Sequence, residues 1–174
     1  TNSWKREALC ELVSDEESLI VPEFLKAEAE IVVGYYPRPA RYSPLVSMDT
    51  GWSDRTAVCF TYVDFPAQVL VFEKTLVFRY KTTGEIADAI KKVEEELWKE
   101  SPYRVRRYAD AMPQQIADLK ADHKLYFQSA DKSNAHDQDS TVNTFRDGVL
   151  MKQIRILREQ NGPLIYQLRN GVWN

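Results

Sequence analysis

Apolar and polar positions follow a regular strand pattern from residue 45 onward. Three segments rich in Val, Phe, Tyr and Leu predict β-strands, at Leu45 to Met48, Ala57 to Val63 and Gln68 to Phe78. The breaks between them, at residues 50–54 and 64–66, are short enough for hairpins. The regular part of the chain is therefore predicted to begin with three antiparallel strands.

The pattern then changes to helical spacing. Four apolar residues spaced four, three and four positions apart form one face of a predicted helix: Ile86, Ile90, Val93 and Leu97. Thr82 or Thr83 suits the N-cap of this helix, and Glu85 suits its first turn.

Strands and helices alternate after this helix. A strand ends on Asp110, and a second helix begins at Pro113. A strand over Lys124 to Gln128, a helix around Phe145, a strand over Ile154 to Leu157 and a short last helix complete the series. The order β-β-β-α-β-α-β-α-β-α predicts an α/β protein with a mixed sheet and helices on its faces. This order matches the ribonuclease-H-like fold.

Residues 1–44 differ from the rest of the chain. They combine the acidic run Asp15-Glu16-Glu17 with the stretch "YYPRPARYSP", which has three prolines in ten residues. Such a stretch favours an extended connector over a helix or a sheet strand. We expect an N-terminal arm or linker over 1–44 and one globular domain over 45–174.

Composition narrows the class of protein. Hydrophobic residues make up 44% of the chain and charged residues 28%, which is typical of a soluble globular domain. The net charge of −3 argues against a uniformly positive surface that would attract nucleic acid, but it is compatible with a local basic face. Cys10 and Cys59 are interpreted as reduced cysteines, and no apolar stretch is long enough to span a bilayer. These features predict a cytoplasmic protein without membrane partners.

Two carboxylates stand at equivalent strand ends. Asp49 follows the first predicted strand and Asp110 follows the fourth, and small residues come after each. If these strands are neighbours in the sheet, the two side chains meet at its rim and repel each other. A divalent cation removes that repulsion, and hard oxygen ligands suit Mg²⁺ or Mn²⁺. Two such ions support phosphodiester hydrolysis. The alternative is that both aspartates only stabilise turns.

Several other polar residues are secondary candidates. Asp54 precedes the second strand, where it holds the hairpin turn or reaches the metal. Lys132 lies in a polar loop and could contact a phosphate. On a strand, Arg104 and Arg106 point to one face and Arg107 to the other. These arginines either follow nucleic-acid phosphates or protect a sheet edge from association.

Four stretches together resemble a known protein family, the large subunit of the DNA-packaging terminase of tailed bacteriophages, in its C-terminal nuclease domain. They are "WKREALCELVSDEESLIVP", "LVSMDTGWSDRTAV", "RRYADAMPQQIADLK" and "DKSNAHDQDSTVNTFRDGVLMKQIRI" followed by "LIYQLRNGVW". The first is similar to the segment that leads out of the family's ATPase region, so the arm over 1–44 is expected to derive from it.

The resemblance implies a metal-dependent endonuclease that cuts concatemeric double-stranded viral DNA when a capsid is filled. Asp49 and Asp110 match the first two metal ligands of the family, and the third is expected after Asn174, because the acidic motif that carries it is not found before that residue. Asp137 and Asp139 are the nearest alternatives but precede the wrong helix. The implied cofactor is Mg²⁺ or Mn²⁺, as two ions. The implied partners are DNA, the portal and the small terminase subunit, in the cytoplasm of an infected bacterium.

Two other classes of function fit parts of the sequence. An actin-like or sugar-kinase-like ATPase could use "DTGWSDRTA" as a phosphate-binding turn, but the six glycines are scattered singly and form no second such turn. The phosphate-binding loop of the packaging motor's own ATPase is also missing from these residues. A non-catalytic interaction module would use both aspartates structurally.

Overall fold

One mixed sheet organises the protein. The computed structural model describes residues 18–51, 55–130 and 137–172, with the side chains of 137–139 left out. Within this part of the chain the strands run in the order β1-β7-β4-β3-β2-β5-β6. Their bounds are β1 (Val32–Val33), β2 (Tyr42–Asp49), β3 (Thr56–Asp64), β4 (Val69–Phe78), β5 (Arg106–Asp110), β6 (Gln128–Ser129) and β7 (Ile154–Leu157).

Helices pack on both faces of the sheet. They are α1 (Glu23–Ile31), α2 (Thr83–Trp98), α3 (Pro113–His123), α4 (Asp137–Leu150) and α5 (Gly162–Asn170), and a short 3₁₀ helix covers Arg158–Gln160. From β2 onward the element order is the predicted β-β-β-α-β-α-β-α-β-α. The prediction of an α/β protein with a mixed sheet and helices on its faces is therefore confirmed. No helix in the described residues is both long enough and apolar enough to cross a membrane.

Whether two neighbouring strands pair parallel or antiparallel depends on how the chain connects them. The hairpin-linked strands β2, β3 and β4 pair antiparallel, whereas β5 pairs parallel with β2 and β7 pairs parallel with β4. The parallel pairs are each reached through a connection that contains a helix, as parallel pairing requires. β2, the first of the three hairpin-linked strands, therefore lies between β3 and β5 in the sheet.

Two apolar clusters cover the two faces of the sheet. On the α2 face, Val46 and Phe60 of the sheet pack with Ile90 of α2 and Leu119 of α3. On the α4 face, the side chains that join the sheet to α1, α4 and α5 form the second cluster: Phe24, Phe72, Val149, Ile156 and Ile165. Since side chains alternate along a strand, the central strands can contribute to both clusters.

The start of α2 is fixed by its predicted cap. The Thr82 hydroxyl accepts a hydrogen bond from the Glu85 amide at 3.2 Å, and the Glu85 carboxylate accepts one from the Thr82 amide at 3.0 Å. This capping box satisfies amides that have no partner within the helix. A hydrogen bond from the Lys81 ammonium is the largest cause that lowers the pKa of Glu85, to about 2.

The predicted strand over Lys124 to Gln128 is wrong in its bounds. Lys124 has a φ of 59° and ends α3 in the left-handed conformation, and the Leu125 amide then donates to the Leu119 carbonyl at 3.0 Å. Leu125 and Phe127 are buried in the core without strand pairing. Only Gln128–Ser129 pairs with β5. Leu125 and Phe127 of the predicted strand are thus buried, but the backbone that carries them is a connector outside the sheet.

Residues 18–33 lie within the predicted arm, and here they pack on the sheet. Helix α1 buries Phe24 and Ile31 in the cluster of the α4 face, and β1 pairs in parallel with β7 at the sheet edge. Glu23 at the start of α1 forms an ion pair with Arg146 of α4. This stretch therefore contributes to the same hydrophobic core as the strands that follow.

The Glu23–Arg146 pair should make stability depend on pH. Hydrogen bonds from Arg146 are the largest cause that lowers the pKa of Glu23. A lowered folded-state pKa means that the pair contributes stability above the unfolded-state pKa and loses it as pH falls through the folded-state pKa. Because the Arg146 side chain is 34% exposed, we expect Glu23→Gln to lower the free energy of unfolding by at most about 1 kcal/mol at pH 7.

Urea unfolding of Glu23→Gln and wild type at pH 7 and at pH 3 measures this dependence. The difference between the two proteins should shrink at the lower pH. Glu95→Gln is a matched control, because Glu95 is an exposed glutamate of α2. An equal loss of stability in Glu95→Gln would show that the effect does not come from the ion pair.

Candidate active site

The two aspartates chosen from the sequence lie opposite each other. Strands β2 and β5 are parallel neighbours, and their register pairs Asp49 with Asp110 at the carboxyl end of both. Neighbouring strands are about 4.8 Å apart, and residues paired in this way present their side chains to the same face. The structure thus brings the two carboxylates together at one rim of the sheet.

The rim is held by local packing and hydrogen bonds. Met48 and Ala109, the residues just before the aspartates, are buried on the α2 face and anchor both strand ends. Thr50 directly follows β2 and bonds to the end of β5. Its amide donates to the Asp110 carbonyl at 3.2 Å, and its hydroxyl donates to the same oxygen at 3.3 Å. These bonds fix the backbones that carry the carboxylates relative to each other.

The carboxylate pair is accessible from solvent. Asp49 is exposed and Asp110 is half-buried, and both belong to the α4 face by strand alternation. Neighbouring positions on that face, Ser47 and Tyr108, are also exposed. A hydrated cation and an extended substrate can therefore approach the pair from the α4 face.

The two carboxylates provide some of the ligands that a hard divalent cation needs. Two carboxylates in register provide oxygen ligands of the kind that Mg²⁺ and Mn²⁺ prefer, and a cation would offset their mutual repulsion. Within the described residues, no group of three His, Cys, Asp or Glu side chains could hold a metal ion. Asp49 and Asp110 therefore fit such an ion as two of its ligands, and the role of both stays a prediction.

Several predicted site residues fall outside the part that is described. Asp54 and Lys132 lie in the gaps at 52–54 and 131–136. Asp137 and Asp139 begin α4, but their side chains are not among those described. The roles predicted for these four residues remain untested, as does the third ligand expected after Asn174.

The arginines in and near β5 are divided between the two faces of the sheet, as predicted for Arg106 and Arg107. The Arg107 guanidinium donates two hydrogen bonds to Glu94 of α2, at 2.6 and 2.5 Å, so it joins the sheet to that helix. Arg106 lies on the α4 face with Asp110, and its guanidinium donates to the Ser43 hydroxyl at 3.0 Å. Arg104 is exposed in the segment before β5. Arg107 is thus a structural residue, whereas Arg104 and Arg106 are available to a ligand.

The sequence pattern does not reveal two parts of this surface. Thr50 is one of the small residues after Asp49, although it joins the two strand ends. Arg41 lies in the proline-rich stretch that predicts a connector. The signal for Arg41 was the strand alternation that runs backwards from Asp49 through Ser47 and Ser43, which continues the α4 face of β2 to its beginning.

Known structures share this fold. No protein-family model and no curated protein sequence matches the chain. The large terminase of a thermophilic bacteriophage is similar with a TM-score of 0.71 and 18% identity, over 90% of this chain and 38% of that one. This chain therefore spans well under half of that phage terminase.

Two isolated nuclease domains are also similar. The P22 large terminase nuclease domain has a TM-score of 0.65 and 16% identity, over 82% of this chain and 74% of that one. The large terminase nuclease domain of bacteriophage SPP1 with bound Mn has a TM-score of 0.54 and 19% identity, over 79% and 72% of the two chains. The resemblance found in the sequence is thus confirmed in the structure: this chain has the ribonuclease-H-like fold of large terminase nuclease domains.

Proposed function

We propose that this chain is a metal-dependent endonuclease domain that hydrolyses double-stranded DNA. The observation that carries the proposal is the register that places Asp49 opposite Asp110 at an exposed rim. The fold supports it, because it is that of terminase nuclease domains, including one with bound Mn. The natural substrate is then concatemeric viral DNA, cut during genome packaging in the cytoplasm of an infected bacterium.

The residues of the site would have separate roles in this reaction. Asp49 and Asp110 would hold Mg²⁺ or Mn²⁺, as two ions if further ligands join them. Bound cations of this kind supply electrostatic stabilisation of the attacking water and of the leaving oxygen. Thr50 keeps the two strand ends in register. The exposed positions of the α4 face along β2 and β5 would admit the DNA backbone, and Arg104 and Arg106 would contact phosphates. Such contacts fix position but read no bases, so we expect little sequence preference.

The partners of the domain follow from the larger terminase whose structure is similar. In a packaging motor, a nuclease domain of this kind would work beside an ATPase region, the portal and the small terminase subunit. These partners are part of the proposal, because the chain covers 38% of the thermophilic phage's terminase.

The two alternative functions have less support. An actin-like or sugar-kinase-like ATPase would need a second glycine-rich phosphate turn, which the six scattered glycines do not form. A non-catalytic module would not require two carboxylates in register at one rim of the sheet. The fold similarity to nuclease domains favours the nuclease over both.

Removal of divalent metal should abolish activity. We expect the protein to nick supercoiled plasmid DNA with Mn²⁺ in the absence of nucleotide, and to stop when EDTA is added, because two repelling carboxylates cannot serve without a cation. Gel analysis of nicked and linear plasmid over time measures the rate. Metal-independent nicking, or a requirement for ATP, would contradict the proposal, and the latter outcome would favour the kinase-like alternative.

A further inference from the structure

Three arginines share one depression at the far end of the carboxylate-bearing strands. Arg41, Arg104 and Arg106 line an open depression of about 330 Å³, and Phe65 and Tyr103 form part of its wall. We call the site formed by these three arginines the arginine depression. Arg41 directly precedes β2, and Asp49 ends that strand, so the depression and the carboxylate pair lie at opposite ends of the same two strands.

These arginines differ from the structural ones. In the described part of the chain, four other arginines are paired with glutamates: Arg38 with Glu73, Arg107 with Glu94, Arg146 with Glu23 and Arg169 with Glu28. No ion pair to an acidic residue is formed by Arg41, Arg104 or Arg106 within the same described ranges. Three like charges around one depression repel each other, and a bound anion would relieve that repulsion.

Arg106 and Ser43 place part of the depression on the same side of the sheet as the carboxylates. Arg106 shares its face with Asp110, and its hydrogen bond to Ser43 joins the edge of the depression to β2. A strand rises about 3.3 Å per residue, so Arg106 lies about 13 Å from Asp110 along β5, and Arg41 lies about 26 Å from Asp49 along β2. Duplex DNA rises about 3.4 Å per base pair, so these distances correspond to roughly four to eight base pairs.

The surface between the two sites is open to solvent at two positions. Ser47 and Tyr108 occupy the middle of β2 and β5 on this face, and both are exposed. Neither carries a negative charge that would repel a phosphate. Guanidinium groups match phosphate oxygens by paired hydrogen bonds, which an exposed arginine without a carboxylate partner can offer.

We propose that the arginine depression binds backbone phosphates of duplex DNA roughly four to eight base pairs from the bond that is cut at Asp49 and Asp110. That DNA is cut at Asp49 and Asp110 rests on the proposed function. The depression would hold the duplex along β2 and β5 and so set its direction across the carboxylate pair. It would contribute affinity and orientation without reading sequence.

Salt-dependent binding tests the depression without cleavage. Fluorescence anisotropy in EDTA measures the affinity for a labelled duplex of about 24 base pairs over a series of salt concentrations, where each phosphate contact contributes about 0.9 to the slope of log K against log salt. We expect the slope to fall by about 1.8 in Arg41→Ala with Arg104→Ala, and by about 2.7 when Arg106→Ala is added. The double variant keeps the bond between Arg106 and Ser43, so it separates binding from folding.

A matched control removes the same charge elsewhere. Lys91→Ala, Lys92→Ala and Lys99→Ala together eliminate three exposed cations in and just after α2, and the slope should stay at the wild-type value. An unchanged slope in the arginine triple variant, or an equal fall in the lysine control, would overturn the proposal. A competition experiment tests the occupant. Poly-glutamate could displace the duplex as well as unlabelled DNA does, and only from proteins that keep the arginines. In that case the occupant is an acidic protein surface and the proposal is overturned.

The two proposals can fail separately. If wild type does not nick plasmid with Mn²⁺ but the arginine variants still lower the salt slope, the depression binds DNA and the proposed function is wrong. If wild type nicks with Mn²⁺ and the arginine variants bind like wild type, the proposed function stands and the depression is rejected. When both hold, the triple variant should raise KM for DNA and leave kcat nearly unchanged, since it touches no reacting atom.

Discussion

Asp49→Asn and Asp110→Asn are each expected to reduce Mn²⁺-dependent plasmid nicking by at least about 100-fold, because residues outside the ligand shell already cost roughly 10–100-fold when they are lost. The change removes a negative charge and one ligand oxygen but keeps the size of the side chain. Since Asp49 is exposed and both residues are at strand ends, the fold should be retained. Nicking rates at saturating Mn²⁺ measure the loss.

Metal binding gives a second readout that does not depend on cleavage. A ligand that binds only the folded protein stabilises it, by about 2.7 kcal/mol at 100 times its Kd. Thermal unfolding of wild type should therefore shift upward with Mn²⁺, and neither variant should show that shift. Asp88→Asn is the matched control, because Asp88 is exposed on α2, and it should behave like wild type. Full nicking activity in both active-site variants would reject the site.

The sequence was sufficient for the order of elements because local patterns decide it. The apolar residues that predicted α2, such as Ile86, Ile90 and Val93, are the ones buried on the sheet, and the predicted Thr82 cap is present. The strand end at Asp110 agrees with the predicted one, and β2 ends at Asp49, one residue beyond the predicted end at Met48. Their pairing required one further assumption, that the first and fourth strands are neighbours, and a fold hypothesis supplied it.

Other features depend on contacts that are distant along the chain. Val32 and Val33 extend the sheet only because β7, more than a hundred residues later, offers a free edge. The proline-rich sequence next to them favours a connector, and two apolar residues are too few to predict a strand. Arg41 and Arg106 meet only after β2 and β5 have paired. Composition cannot reveal such a cluster, since the net charge of −3 hides where the positive charges lie.

Asn161 holds the opposite half of the sheet together. It is fully buried between the 3₁₀ helix and α5. Its amide nitrogen donates to the Phe72 carbonyl at 3.0 Å and to the Leu157 carbonyl at 2.8 Å, and its oxygen accepts from the Thr75 hydroxyl at 2.7 Å. One side chain thus joins β4, β7 and the start of α5.

Asn161→Ala should be the most destabilising polar substitution in the core. It leaves buried acceptors at Phe72 and Leu157 and a buried donor at Thr75 without their partner, and each such group costs about 1–3 kcal/mol. Since neighbouring groups relax in part, we expect a loss of about 3 kcal/mol in the free energy of unfolding, measured by urea denaturation. Asn143→Ala, at an exposed position of α4, should cost little. A loss below about 1 kcal/mol at Asn161 would contradict the network.

Asn161→Asp separates hydrogen bonding from packing, since it has nearly the same shape. The new carboxylate would face two carbonyl oxygens in a buried site, so its charged form is disfavoured and its pKa is raised above the unfolded value of about 3.9. A raised folded-state pKa means that the variant is least destabilised below the unfolded-state pKa and loses stability as pH rises from there through the folded-state pKa. Its deficit relative to wild type should therefore be larger at pH 7 than at pH 4. A deficit that is the same at both pH values would show that the carboxylate is solvated and that Asn161 is not sealed between the two strands.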